Sequence, residues 1–406
     1  MHALPAQTGS YDPPNPAVPQ TYAIKRNCGL ILTGGGARAA YQVGVLCAIR
    51  DFLPAGSPNP FPIICGTSAG AINAAVLAEH ADCFHQAVEI LHRTWGALRV
   101  EQVFRSNGMT LYGSAMHWVL ALMAGGLGRR NPRSLLDNQP LRELLAEHIQ
   151  LERIAPNIAQ GHLRAVGLTA SAYSTGRNVC FYQGAADIMP WQRVRRLGMS
   201  TPLSINHIMA SLALPFLFPA IRLGGEYYGD GSMRQITPLS HAIHLGAEHL
   251  LVIGTRNDDP VDEPSPDFRP PYPSLGKIGG YVLDTLFMDS LQIDAERLER
   301  FNQLIQPSLE PPTEADGSRL RKVSLKILLP SQNLSKLAAR YKQRYPKAIR
   351  KILRGVGGLA SDSPLSSYLL FDSSFTRSLM ELGYEDTMRQ KQDLQEFLLA
   401  RHQHIN

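Results

Sequence analysis

The sequence predicts an α/β fold with a central, mostly parallel sheet flanked by helices. Two strand–glycine–helix units carry this prediction. In the first, the apolar run "CGLILT" is followed by "GGGAR" and the helix-like stretch "AAYQVGVLCAIRDFL". In the second, "FPIIC" precedes "GTSAG" and a helix of small residues. Repetition of this order is typical of parallel sheets, because a helix must connect each strand to the next.

Length and composition allow one large α/β domain or two smaller ones, since the chain has 406 residues, of which 44% are hydrophobic and 18% charged. Further strands are predicted at 163–170, 179–183, 249–255 and 323–330. We divide the chain into a loose arm with five prolines (1–22), an α/β domain (23–255), a loop with six prolines (256–274) and a mostly helical extension packed on that domain (275–406).

Charge and cysteine content narrow the class of protein. The formal net charge of +6 permits attraction to anionic surfaces without requiring nucleic acid. Five scattered cysteines, with no CxxC pair, indicate buried thiols in a reducing compartment. The N-terminus lacks a basic segment followed by an apolar one, so a cleaved secretory signal is not expected. We therefore expect a cytoplasmic protein, peripheral on the membrane at most, without a metal or other cofactor.

The stretch "GTSAG" fits the pattern of a nucleophile elbow. Ser68 would sit on a sharp strand-to-helix turn, and Gly66 and Gly70 would allow the close backbone approach that such a turn requires. The helix that follows would direct its N-terminal N–H groups at developing negative charge. The alternative is an ordinary strand-to-helix connection that happens to contain a serine.

The stretch "GGGAR" predicts a backbone nest for an anion. Gly34, Gly35 and Gly36 follow a strand and precede a helix, which leaves their N–H groups exposed. The lysine of a phosphate-binding loop and the third spaced glycine of a dinucleotide fingerprint are both missing. An oxyanion hole fits better, with the N–H groups of Gly35 and Gly36 across from that of Ala69. Simple helix capping is the alternative.

A third motif, "EYYGDGS", places Asp230 in a turn behind the apolar run "ASLALPFLFPAI". An acid beside a glycine is common in ordinary turns, so this residue gains meaning only from a partner.

In this order, GGGAR, GTSAG and "ASLALPFLFPAIRLGGEYYGDGS" resemble the patatin-like phospholipase family, bacterial members included. The resemblance covers residues 27 to 255, and parts of the C-terminal extension look similar. It implies a three-layer patatin-like fold and a dyad in which Ser68 is the nucleophile and Asp230 the base. Arg38 and the glycine nest would form the oxyanion hole. The resemblance also implies a lipid acyl hydrolase of the phospholipase A or lysophospholipase type, which acts through an acyl-enzyme on phospholipid or another acyl lipid.

Two positions depart from the family pattern. Ala39 stands where the pattern usually has a glycine after the arginine, and the acid motif runs Asp230, Gly231, Ser232 instead of ending in glycine or alanine. Both replacements are small, so we expect activity to be kept, with Ser232 free to add a hydrogen bond near Asp230.

Two other functions stay open at this point. A Ser-His-Asp esterase would use a histidine near the acid motif, and the candidates are His207, His241, His244 and His249. A non-catalytic lipid-binding protein could also keep the fold. Separate mutation of Asp230 and of each histidine would distinguish the dyad from the triad.

Two segments suggest contact with an anionic membrane. Residues 106–128 contain no formally charged side chain, which favours a buried helix or an apolar cap over a membrane-spanning helix, because glycine and polar residues dilute the run. Residues 336–354 contain eight lysines and arginines and no acid. A solvated basic face is the alternative to a patch that binds anionic phospholipid.

Overall fold

A ten-stranded sheet carries the fold, and one further pair of short strands joins the two ends of the described chain. In chain order the strands are β1 (Ala23–Ile24), β2 (Cys28–Leu32), β3 (Ile63–Thr67), β4 (Ala165–Ala172), β5 (Asn178–Gly184), β6 (Trp191–Arg193), β7 (Arg196–Ser200), β8 (Ile221–Leu223), β9 (Glu226–Asp230), β10 (His249–Ile253), β11 (Ser324–Leu328) and β12 (Leu399–Ala400).

The computed structural model describes residues 23–24, 27–54, 57–106, 108–128, 131–257, 269, 272–305, 320–355, 357–359 and 363–400. The predicted N-terminal arm (1–22) and most of the predicted proline-rich loop (256–274) lie outside these residues.

Strand order confirms the prediction of a mostly parallel central sheet. The order is β11-β10-β2-β3-β4-β5-β7-β6, and the first five strands run parallel to one another. Strand β5 is antiparallel to β4, and the β8–β9 hairpin pairs with β4 through β9. Because β2 and β3 are buried along their whole length, they read in the sequence as continuous apolar or small-residue runs.

Helices cover both faces of this sheet. They are α1 (Ala40–Phe52), α2 (Ala69–Glu79), α3 (Phe84–Ala97), α4 (Val100–Val103), α5 (Gly108–Met123), α6 (Gln139–His148), α7 (Ile154–Ala159), α8 (Ile205–Ser211), α9 (Ser240–His244), α10 (Leu275–Leu304), α11 (Leu334–Ala339), α12 (Lys347–Gly355), α13 (Pro364–Leu369), α14 (Ser373–Arg389) and α15 (Lys391–Leu398).

The C-terminal extension is bound tightly to the first helix of the α/β unit. Helices α1 and α14 touch at their backbones: a side chain at Gly44 would meet the carbonyl oxygen of Met380, and one at Gly383 would meet that of Tyr41. The Tyr41 hydroxyl also donates a hydrogen bond to Asp386 at 3.1 Å. Strand β11, which belongs to the extension, pairs with β10 and so adds an edge to the central sheet.

Helix α5 occupies the uncharged segment, and four of its described apolar side chains are exposed. Met123 is 82% exposed, and Met116, Val119 and Leu120 are each about half exposed. The expectation of a buried helix is therefore wrong for this face of α5. Within the described part of the chain, no helix is long and apolar enough to cross a membrane.

Candidate active site

Ser68 lies on a strained turn between β3 and α2. Its backbone has φ 52° and ψ −129°, a conformation that L-residues rarely adopt. A side chain at Gly66 would come within 2.6 Å of the Gly70 carbonyl oxygen, and one at Gly70 would meet the carbonyl oxygen of Leu32. Both glycines are thus needed for the chain to turn here, as the GTSAG pattern predicted.

Sheet register brings Asp230 beside Ser68. Thr67, the last residue of β3, is paired with Thr169 of β4. The next residue of β4, Ala170, is paired with Asp230, the last residue of β9. Strand β9 therefore pairs with the same edge of β4 just beyond the last residue of β3. Ser68 directly follows that last residue. Residues that are 162 positions apart in the sequence are placed together by their shared neighbour strand.

Burial raises the pKa of the Asp230 carboxyl group to about 6, although the Ser68 side chain and the backbone N–H of Ser232 act to lower it. The Ser232 N–H donates a hydrogen bond to Asp230 Oδ1 at 2.9 Å. The other oxygen, Oδ2, is buried and has no hydrogen-bond partner among the described residues. The carboxylate thus keeps one acceptor oxygen that no other group occupies, and its raised pKa makes it a stronger base than an exposed aspartate.

The glycine loop, Gly34 to Gly36, follows β2 and lies beside Ser68. The Thr255 hydroxyl donates a hydrogen bond to the Gly34 carbonyl oxygen at 2.6 Å and so fixes the start of the loop. Gly36 has φ 55°, and a side chain there would meet the carbonyl oxygen of Tyr368. The N–H of Gly35 forms no hydrogen bond within the described residues. This N–H group is therefore available to an anion.

An apolar cavity of about 60 Å³ opens next to Ser68. Gly36, Ser68 and Ala69 all line it, so the glycine loop, the serine and the start of α2 border one cavity. Its other walls are almost all apolar, and they come from α2, α3, α4, α6, the segment after α8 and the segment 368–371. A cavity lined in this way suits a hydrocarbon chain next to a reactive carbonyl group.

A family model described as patatin-like phospholipase matches residues 30–243, more than half of the chain. The chain belongs to the patatin-like phospholipase family. The matched region contains the glycine loop, Ser68 and Asp230, and it ends before β10 begins.

Two curated proteins are similar to this patatin-like chain. Lysophospholipase nte1 of Aspergillus terreus is 51% identical over 57 residues, which are 14% of this chain and 3% of that protein. A cGAMP-activated phospholipase of Pseudomonas aeruginosa is 25% identical over 224 residues, which are 53% of this chain and 55% of that protein. The chain thus spans at most about half the length of these relatives. Among solved structures, VipD from Legionella pneumophila covers 88% of this chain, and 67% of VipD is covered, at 13% identity and a TM-score of 0.31.

Arg38 of this patatin-like chain does not reach into the cavity. Its side chain is buried, and the guanidinium group donates hydrogen bonds to Ser367 at 2.8 Å and to Ser335 at 3.0 Å. It also forms an ion pair with Asp284 at 3.0 Å and lies over the ring of Tyr368. These partners all belong to the C-terminal extension. The guanidinium group is therefore committed to holding that extension, and we do not retain Arg38 as an oxyanion donor.

A series of buried side-chain hydrogen bonds fixes the turn that follows Asp230. The Gly231 carbonyl oxygen accepts hydrogen bonds from Asn178 Nδ2 at 3.0 Å and from the Ser171 hydroxyl. Asn178 Oδ1 in turn accepts one from His241 Nε2 at 2.6 Å. A side chain at Gly231 would collide with Thr169, so this position must be glycine. The hydrogen bond expected from Ser232 is made by its backbone N–H, not by its hydroxyl.

The histidines of the triad alternative lie elsewhere. His207 caps α8 through Ser204, and His244 stacks on the ring of Trp191. His249 packs against Phe397, and burial lowers the pKa of His241 to about 3, so that its ring stays neutral. Because Asp230 Oδ2 has no hydrogen-bond partner, no described histidine connects the acid to Ser68.

Sequence reasoning missed two groups that shape the site. The buried Ser211 hydroxyl accepts a hydrogen bond from the Ser68 N–H at 2.8 Å and so fixes the turn. Residues 368, 369 and 371 of the extension form part of the cavity wall. No local pattern marks either group, because both act across more than a hundred residues of sequence.

Proposed function

We propose that this patatin-like protein is a lipid acyl hydrolase of the phospholipase A or lysophospholipase type. Ser68 attacks the ester carbonyl carbon, and Asp230 accepts the serine proton through its open Oδ2. The N–H groups of Gly35, Gly36 and Ala69 stabilise the oxyanion. The alcohol or lysolipid leaves with the proton, and an acyl-enzyme remains on Ser68. Water, activated in turn by Asp230, then releases the fatty acid.

The observation that carries this proposal is the convergence of Ser68 and Asp230 on one edge of β4 beneath an apolar cavity. The acid is buried, so its carboxylate is poorly solvated and more basic than usual. The serine turn is strained, as expected for a residue held ready for chemistry. A protein that only binds lipid would have no need of either feature.

Both curated relatives carry names that denote phospholipid or lysophospholipid hydrolysis, and these names favour acyl lipids as substrates here. We further propose that the enzyme meets its substrate at an anionic membrane surface, with no nucleic acid involved. The basic segment 336–354 supports this, since it contains eight cations and no acid.

The decisive experiment compares wild type with Ser68→Ala and Asp230→Asn on phospholipid vesicles and on a short-chain p-nitrophenyl ester. Both variants should be folded and should lose roughly a thousandfold or more of kcat/KM on each substrate. Ser240→Ala, which changes a serine in α9 and not in the proposed site, is the matched control and should stay active. If Asp230→Asn keeps most of its activity, the dyad is wrong. If wild type hydrolyses no ester, either an activator is missing or the protein binds lipid without cleaving it, and titration with cell extract separates these two outcomes.

A further inference from the structure

A cleft of about 300 Å³ lies between the short 3-10 turn Lys342–Arg344 and helix α12. Lys342, Arg350 and Arg354 line it together with Gln343, and the part of the lining that the structure describes contains no acid. Arg350 donates a hydrogen bond to Gln343 Oε1 at 2.7 Å, which holds its guanidinium group at the cleft wall. None of the three cations forms an ion pair with an acid that the structure describes. The cleft therefore presents uncompensated positive charge to any ligand.

A ridge of exposed apolar side chains lies on α5, the helix that packs against one wall of this cleft. Met116, Val119, Leu120 and Met123 follow one another at helical spacing on α5, and all are exposed. Helix α5 packs against α12, two residues of which line the cleft. Contiguous exposed apolar side chains are unusual on a soluble surface unless something covers them.

The apolar ridge is connected to the proposed catalytic cavity. Trp118 of α5 packs edge-on against Phe216, with ring centroids 6.2 Å apart. Phe216 is 68% exposed and has φ 64°, a strained backbone conformation. Its neighbours at two positions on either side, Leu214 and Phe218, line the cavity beside Ser68. The short loop 214–218 thus places the exposed ring of Phe216 against α5 and the side chains of Leu214 and Phe218 in the cavity wall.

We infer that this surface binds the lipid bilayer, with the phosphate of an anionic phospholipid headgroup in the basic cleft and the α5 ridge in the acyl region. This rests on the proposed function for the claim that acyl lipid is the substrate. Arginine and lysine in a cleft whose described residues include no acid fit phosphate, and apolar side chains on the neighbouring helix fit the first methylenes of the lipid. A soluble anion would use the cations but leave the apolar ridge uncovered.

The test measures vesicle binding by sedimentation in the Ser68→Ala background, so that no lipid is cleaved. Vesicles of phosphatidylcholine with phosphatidic acid are compared with phosphatidylcholine alone. Neutralising both cleft arginines, Arg350→Gln with Arg354→Gln, should weaken binding to the anionic vesicles roughly 30-fold. Each cation near the surface contributes about fivefold to the affinity, and the two factors multiply. The matched control, Lys322→Gln with Lys391→Gln, loses the same charge outside the cleft and should bind within about twofold of the parent.

The ridge is tested in the same assay. Met116→Ser with Met123→Ser should weaken binding roughly tenfold, whereas Met189→Ser, an exposed methionine outside α5, should not. If the double arginine variant and the double lysine control lose the same amount of vesicle binding, only net charge matters. That result would overturn the proposed phosphate site in the cleft. Binding of inorganic phosphate by a protein that binds no vesicles would show an anion site and contradict the lipid assignment. Hydrolysis of a soluble ester by the wild-type protein tests the proposed function separately.

Discussion

Arg38 and Asp284 form a largely buried ion pair, 3.0 Å between Nη1 and Oδ1, that joins the glycine loop to helix α10. The Tyr368 hydroxyl donates a second hydrogen bond to the same oxygen of Asp284 at 2.6 Å. Tyr368 also lines the cavity beside Ser68 and places its carbonyl oxygen against Gly36. The ion pair therefore sets the position of a cavity wall, although neither charged group lies in that wall.

Asp284→Asn should lower the free energy of unfolding by about 2–3 kcal/mol, because Arg38 would keep its buried charge and lose its counterion. Urea denaturation measures this loss. The exposed ion pair between Arg93 and Glu89 offers a control. Arg93→Gln should lower the free energy of unfolding by less than about 1 kcal/mol. Equal costs for the two variants would mean that the Arg38 pair contributes no more than a surface contact.

Activity should decline in acid because Asp230 must be ionised to accept a proton. Burial raises its pKa to about 6, so kcat/KM on a soluble ester should fall about tenfold per pH unit below about pH 6. A pH–rate profile taken over the range in which the protein stays folded measures this. An acid limb near pH 4 would show that burial does not raise the pKa of Asp230 above its ordinary value of 3.8.

The same carboxyl group makes stability depend on pH in a defined direction. Its folded pKa lies above the ordinary value of 3.8, so the folded state binds the proton more tightly, and stability falls as pH rises from about 4 to about 6. At neutral pH the cost is roughly 3 kcal/mol, at 1.36 kcal/mol per pH unit.

Asp230→Asn removes this charge and keeps an oxygen for the Ser232 N–H. It should therefore be more stable than wild type by up to roughly 3 kcal/mol at about pH 7.5, and equal to it at about pH 4. Urea unfolding of both proteins at these two pH values measures the difference in stability. A difference that does not change with pH would contradict the linkage.

Ser68→Gly should unfold at a higher urea concentration than Ser68→Ala. Both variants lack the nucleophile, but alanine keeps the strain of φ 52° while glycine relieves it. We expect a gain of about 1 kcal/mol, even though glycine usually costs stability through the entropy of the unfolded chain. If alanine proves equal or better, the turn is not strained.

His241→Phe should destabilise the protein and still leave it active. The substitution removes the donor to Asn178 Oδ1 and should cost about 1–3 kcal/mol. Activity on a soluble ester should stay within about tenfold of wild type, because no proton passes through this ring. A loss as large as that of Ser68→Ala, in a folded variant, would instead assign His241 to catalysis.

Much of the fold could be predicted from local sequence. The strands β2 and β3 read as apolar runs followed by glycine because buried parallel strands have no polar face. The positive φ of Ser68 follows from its flanking glycines, and both glycines prove to lack room for a side chain. Helix α10 also lies at the start of the extension 275–406 that was predicted to be mostly helical. The exposure of α5 could not be predicted, since an uncharged segment fits a buried or an exposed helix equally well.

By itself, the sequence determined the strand–glycine–helix units, the serine turn and the glycine loop, because each depends on backbone conformations that neighbouring residues impose. Only the tertiary structure decided which partners these elements have. Asp230 reaches Ser68 because β9 continues along β4 where β3 ends, and Arg38 pairs with Asp284 across 246 residues of sequence. Such contacts depend on strand order and on the packing of the extension, and no local pattern of residues encodes either one.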